Sequence, residues 1–134
     1  MRPTIALALT LGLAAVMPAH TAPLDAYSDR PLSADYHRCV GPNPSNSGMG
    51  QCIELEVERQ EGRLNEAYRL VISRLPAARQ AALRASERAW VKARRAECDR
   101  IYREMEGGTG DGLALDTCLA VRAVGRTAWI ERFR

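Results

Sequence analysis

Four cysteines, Cys39, Cys52, Cys98 and Cys118, all lie downstream of an N-terminal stretch that carries the marks of export. Arg2 supplies a positive start, and Ile5 through Val16 form an apolar run broken only by Thr10 and Gly12. At about a dozen residues, that run is shorter than the roughly 20 needed to cross a hydrocarbon core, so it reads as a secretory signal peptide. Small residues near Pro18–Pro23 put its end at Ala19 or Ala22, which assigns residues 1–22 to the signal. No cysteine stands there to carry a lipid, so a periplasmic or secreted mature protein without a membrane span is expected. An even number of cysteines in an exported chain points to a disulfide framework, for which the sequence permits three pairings.

The mature chain, roughly 110 residues, is one domain's worth and short of the size at which a core alone is generously stabilising. Residues 23–50 form an arm rich in Pro, Gly, Ser, Asn and Asp, and Gly41–Gly48 shows no apolar periodicity. That composition predicts a loop. The pattern then changes, and residues 51–134 read as the helical domain. Ile53, Val57, Leu64, Tyr68, Val71, Ile72 and Leu75 recur at helical steps from Gln51. Pro76 marks a turn, and Ala77 to about Glu106 carries Leu83, Trp90, Ala93, Glu97, Ile101 and Met105 near one face. Glycines from Gly107 to Gly112 end that segment, with Asp111 placed to cap the next. A third stripe runs through Leu113, Leu115, Leu119, Trp129 and Phe133. The expected fold is all-α: a small antiparallel bundle of three long helices, with a short helix near Ser33–Val40.

Catalytic chemistry is hard to place on this chain. His37 is the one histidine after the signal region, too few for a two-histidine metal site, and the cysteines lack the spacing of a zinc ribbon or a thiol oxidoreductase. Phosphate-loop, nucleophile-elbow and dinucleotide motifs are missing. Carboxylate pairs such as Glu97 and Asp99, or Asp111 and Asp116, are what charged helix surfaces produce by chance. No enzyme, metal or cofactor is expected. The net charge of +3 is modest, but Arg79, Arg84, Arg88, Lys92, Arg94, Arg95, Arg100 and Arg103 concentrate positive charge in the middle helix. With both tryptophans at core-like positions, that stripe is a weak nucleic-acid signal.

The order of the segments resembles the LprI-type lysozyme-inhibitor family of exported bacterial helical domains. Cys52 opens the first long helix and is followed by Leu64, Asn65 and Tyr68, an L-N-x-x-Y pattern. Trp90, Arg94 and Cys98 then match W-x-x-x-R-x-x-x-C, and Arg126 follows Cys118 by eight residues. The chain has Glu87 where the family commonly has Gln. The resemblance implies pairing of Cys39 with Cys52 and of Cys98 with Cys118; loops of about 15–20 residues closed in this way contribute on the order of 3 kcal/mol each. Leu64, Tyr68 and Trp90 sit where large side chains fill a core, whereas Asn65, Arg94 and Arg126 suggest a buried hydrogen-bond network.

The resemblance also implies a function, inhibition of lysozyme by a rigid projection that enters the glycosidase cleft and shields its paired carboxylates. Two projections are available, the glycine turn at Gly108, Thr109 and Gly110 and the proline-rich arm around Asn43. The alternative is a non-enzymatic envelope protein that binds another exported protein or cell-wall enzyme through the basic middle helix.

Overall fold

Four helices follow one another: α1 (Ala34–Val40), α2 (Asn46–Ile72), α3 (Ala77–Glu104) and α4 (Asp111–Glu131). The structure, a computed structural model, describes residues 28–105, 108 and 110–134. The expected signal peptide, the beginning of the arm and Thr109 lie outside the described residues. The all-α bundle of three long helices and one short one, held by two disulfides, is the architecture the periodicity predicts.

The helix ends follow from local chemistry. The Ser33 hydroxyl accepts from the Tyr36 N–H at 3.2 Å and starts α1. Gly41 ends it, at φ 64°, with its N–H donating to the His37 carbonyl at 3.1 Å. A side chain at that φ would be strained, which is why glycine stands there. Pro42 and Pro44 prevent continuation. Ser45 then caps α2, accepting from the Gly48 N–H at 3.1 Å. α2 therefore begins at Asn46, ahead of the Gln51 start that the apolar stripe predicts, because a serine cap initiates a helix whether or not its first turn is apolar. α2 ends at Ile72 with Ser73 as its C-cap, and Pro76, extended at ψ 155°, keeps Leu75 out of a helix and is the N-cap from which α3 starts. At α4 the cap residue is Gly110, at φ −99°, with no side-chain capping bond, so Asp111 is the first helical residue instead of the expected cap.

α4 is the central helix. It packs along α2 and, less extensively, along α3, whereas α2 and α3, neighbours in sequence, scarcely meet. Its line of closest approach carries Ala120, Ala123 and Ile130, all fully buried. The larger residues of its predicted stripe flank that line, and Trp129 is 37% exposed. A helix wedged between two others needs small side chains where the backbones draw together, and apolar periodicity alone favours large ones. Met105, placed on the buried face of α3 by its spacing, is likewise exposed.

The core divides into three clusters. Leu32, Tyr36, Cys52, Ile53 and Ala120 join α1 to α2 and α4. Leu64, Ala67, Leu83, Ala123 and Ile130 fill the end of the bundle near the α2–α3 turn. Cys98, Ile101 and Cys118 tie α3 to α4. The disulfides are Cys39–Cys52 and Cys98–Cys118, the pairing the family resemblance implies.

Glu56 secures the arm. Its carboxylate is fully buried, accepts from the Ser33 N–H and the Ser33 hydroxyl at 2.7 Å each, and accepts from the Gln60 amide at 2.7 Å. Arg59 pairs with its second oxygen. Burial alone pushes the Glu56 carboxyl upward, but the hydrogen bonds from Ser33, Gln60 and Arg59 together outweigh it, and its pKa lies below the usual carboxylate value. The same serine thus caps α1 and fastens it to α2.

Candidate functional site

A solvent-open furrow of about 640 Å³ lies between α2 and α3. Leu64, Asn65 and Tyr68 reach it from α2, and Trp90, Val91 and Arg94 from α3. Each of these groups repeats at three- or four-residue steps, which places it on one helix face. Of the residues singled out by motif, Leu64, Asn65, Tyr68, Trp90 and Arg94 therefore converge on one surface feature. A smaller hollow lined by Val57, Leu119 and Arg95 continues it along α2 and α3.

Two arginines support the Trp90 ring, and Arg94 also lines the furrow. Arg94, with only 10% of its side chain exposed, ion-pairs across the furrow with Glu61 at 2.5 Å and donates to the Leu119 carbonyl on α4 at 2.8 Å. It therefore touches all three long helices. Arg126 on α4 is 8% exposed, donates to Glu87 at 3.0 Å and to the Ser86 hydroxyl at 2.9 Å, and lies 4.0 Å from the Trp129 ring centroid. Both guanidinium groups lie over the Trp90 ring, Arg94 at 5.1 Å and Arg126 at 5.4 Å from its centroid. Cation–π contacts of this kind contribute about 0.5–2 kcal/mol and hold the indole in place.

Arg94 and Arg126 thus each bond to a neighbouring helix through their own partners, with Glu87 accepting from Arg126 where the family commonly has Gln. Asn65 takes no part in these bonds. It is exposed on the α2 wall of the furrow, because the step from Leu64 to Asn65 turns the side chain away from the core.

The other residues considered in the sequence fall elsewhere. Glu97 pairs with Arg122 on α4, and Asp99 pairs with Arg95 at 3.0 Å, so neither carboxylate is free for acid–base work. Burial, with the Glu54 charge adding to it, pushes the Asp116 carboxyl above its ordinary value. His37 is exposed and edge-on to Tyr36. Among the described residues, no group of three His, Cys, Asp or Glu side chains is placed to hold a metal ion. None of the described helices is long and apolar enough to cross a membrane. Gly108 and Gly110 lie in the α3–α4 connection, well apart from the furrow in sequence, and Asn43 is exposed in the α1–α2 loop.

The family described as lysozyme inhibitor LprI matches residues 39–130, a span that takes in both disulfides and every residue of the furrow. The chain belongs to the LprI lysozyme-inhibitor family. No curated protein and no solved structure matches it. In this LprI-family chain the motif residues are explained in two groups. Leu64 and Arg126 are buried, while Asn65, Tyr68, Trp90 and Arg94 keep some surface in the furrow. Glu56 and Gln60, buried and polar, went unnoticed in the sequence because they read as two more members of a charged helix. Their signal was position: both lie on the side of α2 that carries Ile53 and Leu64.

Proposed function

We propose that this LprI-family protein is an exported, non-enzymatic binding protein that inhibits a peptidoglycan-cleaving glycosidase by covering its cleft. The family match over residues 39–130 carries the reading. Two disulfides and the apolar N-terminal run support a periplasmic or secreted location.

An occluding element has to be convex and stiff, since ordering a flexible loop on binding subtracts from affinity. The α1–α2 loop has those properties. Residues 41–47 are all exposed, the Cys39–Cys52 disulfide closes the base, Pro42 and Pro44 restrict the backbone, and capping bonds end both flanking helices. The glycine turn carrying Gly108, Thr109 and Gly110 is the other projection, and it has no proline.

The test is a cell-wall turbidity assay with purified mature protein against several lysozyme types. Slowed clearing by the wild type and a roughly tenfold loss of potency in Asn43→Trp are expected, the magnitude being that of a central interface contact. Clearing rates unaffected for every lysozyme type would remove the reading. Retained potency in Asn43→Trp, alongside loss in Thr109→Trp, would move the contact to the glycine turn.

A further inference from the structure

The furrow carries a charge imbalance that neither the packing nor cleft occlusion uses. Its two carboxylates are already engaged, Glu61 by Arg94 and Glu87 by Arg126. On the α3 wall, Arg84 and Arg88 have no carboxylate partner among the described residues; Arg84 donates only to the Gln80 amide oxygen, at 3.1 Å. Facing them on α2, the exposed Asn65 makes no hydrogen bond through its amide among the described residues. Tyr68, half-buried, and Val91, 52% exposed, supply apolar surface beside these polar groups, over the buried Leu64.

We propose that the furrow docks an extended acidic segment of an exported partner protein, with two of its carboxylates on Arg84 and Arg88 and an apolar side chain between them directed to Tyr68. The pitch fits. Residues four apart on a helix are separated by about 6 Å along its axis, and alternate residues of an extended strand by about 6.6 Å. An acid–apolar–acid segment lying along the furrow therefore presents both carboxylates to the α3 wall and its central side chain to the α2 wall. Each guanidinium offers a carboxylate a two-pronged donor. A glycan is the poorer occupant: with the Arg94 and Arg126 guanidinium groups over it, the Trp90 ring is not an open stacking face.

The mature, disulfide-bonded protein is titrated by fluorescence anisotropy with the fluorescein-labelled peptide Ser-Glu-Phe-Glu-Ser and with its Ser-Gln-Phe-Gln-Ser counterpart. The acidic peptide binds, and the amide peptide binds about tenfold more weakly. Arg84→Ala/Arg88→Ala raises the Kd for the acidic peptide about tenfold and leaves the amide peptide's unchanged. Arg103→Ala, elsewhere on α3, alters neither. Both furrow arginines are exposed, so the double variant keeps the fold. Failure of the acidic peptide to bind overturns the proposal, as do equal affinities for the two peptides, an equal loss in Arg103→Ala, or displacement by a tetramer of N-acetylglucosamine. The readout is peptide binding, so a negative result leaves glycosidase inhibition standing, and failed inhibition leaves a positive one standing.

Discussion

Glu56 shows how one side chain can fasten a short segment whose own core contribution is Leu32 and Tyr36. Its folded pKa is depressed, so the stability it contributes is complete above the unfolded carboxylate value, about 4.3, and is lost as pH falls through the folded value. Glu56→Gln removes the charge that Ser33, Gln60 and Arg59 converge on. It is expected to destabilise by about 2–4 kcal/mol near neutral pH. Urea titrations of both proteins at neutral and acidic pH check this: the gap between them should narrow on acidification, and a gap independent of pH would remove the assigned role. Gly62 makes the opposite case. It lies exposed within α2, and a Cβ added there meets nothing within 4 Å. It therefore serves no close helix approach, and Gly62→Ala should stabilise by about 0.5–1 kcal/mol in the same titration.

At the scale of elements, the two disulfides close loops of similar length, with sequence separations of 13 and 20. The chain-entropy model assigns about 3 kcal/mol to each. Their local effects differ. Cys98–Cys118 is fully buried in the α3–α4 cluster, whereas Cys39 is exposed on α1, a helix of 7 residues that cannot persist alone. Hydrogen exchange should therefore show Cys39→Ser/Cys52→Ser losing protection chiefly in α1 and the first turns of α2. Cys98→Ser/Cys118→Ser should lose it at the facing ends of α3 and α4. Uniform loss across the molecule in the first variant would contradict the separation. Inhibitory potency should fall with the first variant, because the same bridge stiffens the α1–α2 loop.

For the whole molecule the decisive arrangement is the placement of α4. That helix contributes Cys118, Ala120, Ala123 and Ile130 to the core, packs against both α2 and α3, and leaves the furrow open between them. Ala123 is fully buried on its contact line, and a larger side chain there has nowhere to go. Ala123→Leu is expected to cost about 1–3 kcal/mol, measured by urea denaturation. It should also weaken binding in the furrow, since displacing α4 shifts Arg126 and with it the support of Trp90. An unaltered denaturation midpoint would show that the contact is looser than the burial implies.

Helix count, approximate spans and the bundle class were legible in the sequence because 3.6-residue periodicity and the turn at Pro76 are local properties of the chain. The motif residues were legible too, through family resemblance, as was the disulfide pairing. The start of α2 was obscured because its first turn is glycine-rich and its cap, Ser45, sits in a stretch that otherwise reads as loop. What only tertiary structure decided was which residues share a surface. Helical spacing puts Glu56 on the Ile53 side of α2 but does not say what its carboxylate meets there, and nothing local distinguishes Arg84 and Arg88 from the arginines that found carboxylates. Those differences arise when three helices pack and each side chain meets a core, a partner or water. The furrow is likewise a property of packing: it lies between two helices adjacent in sequence that both pack against a third.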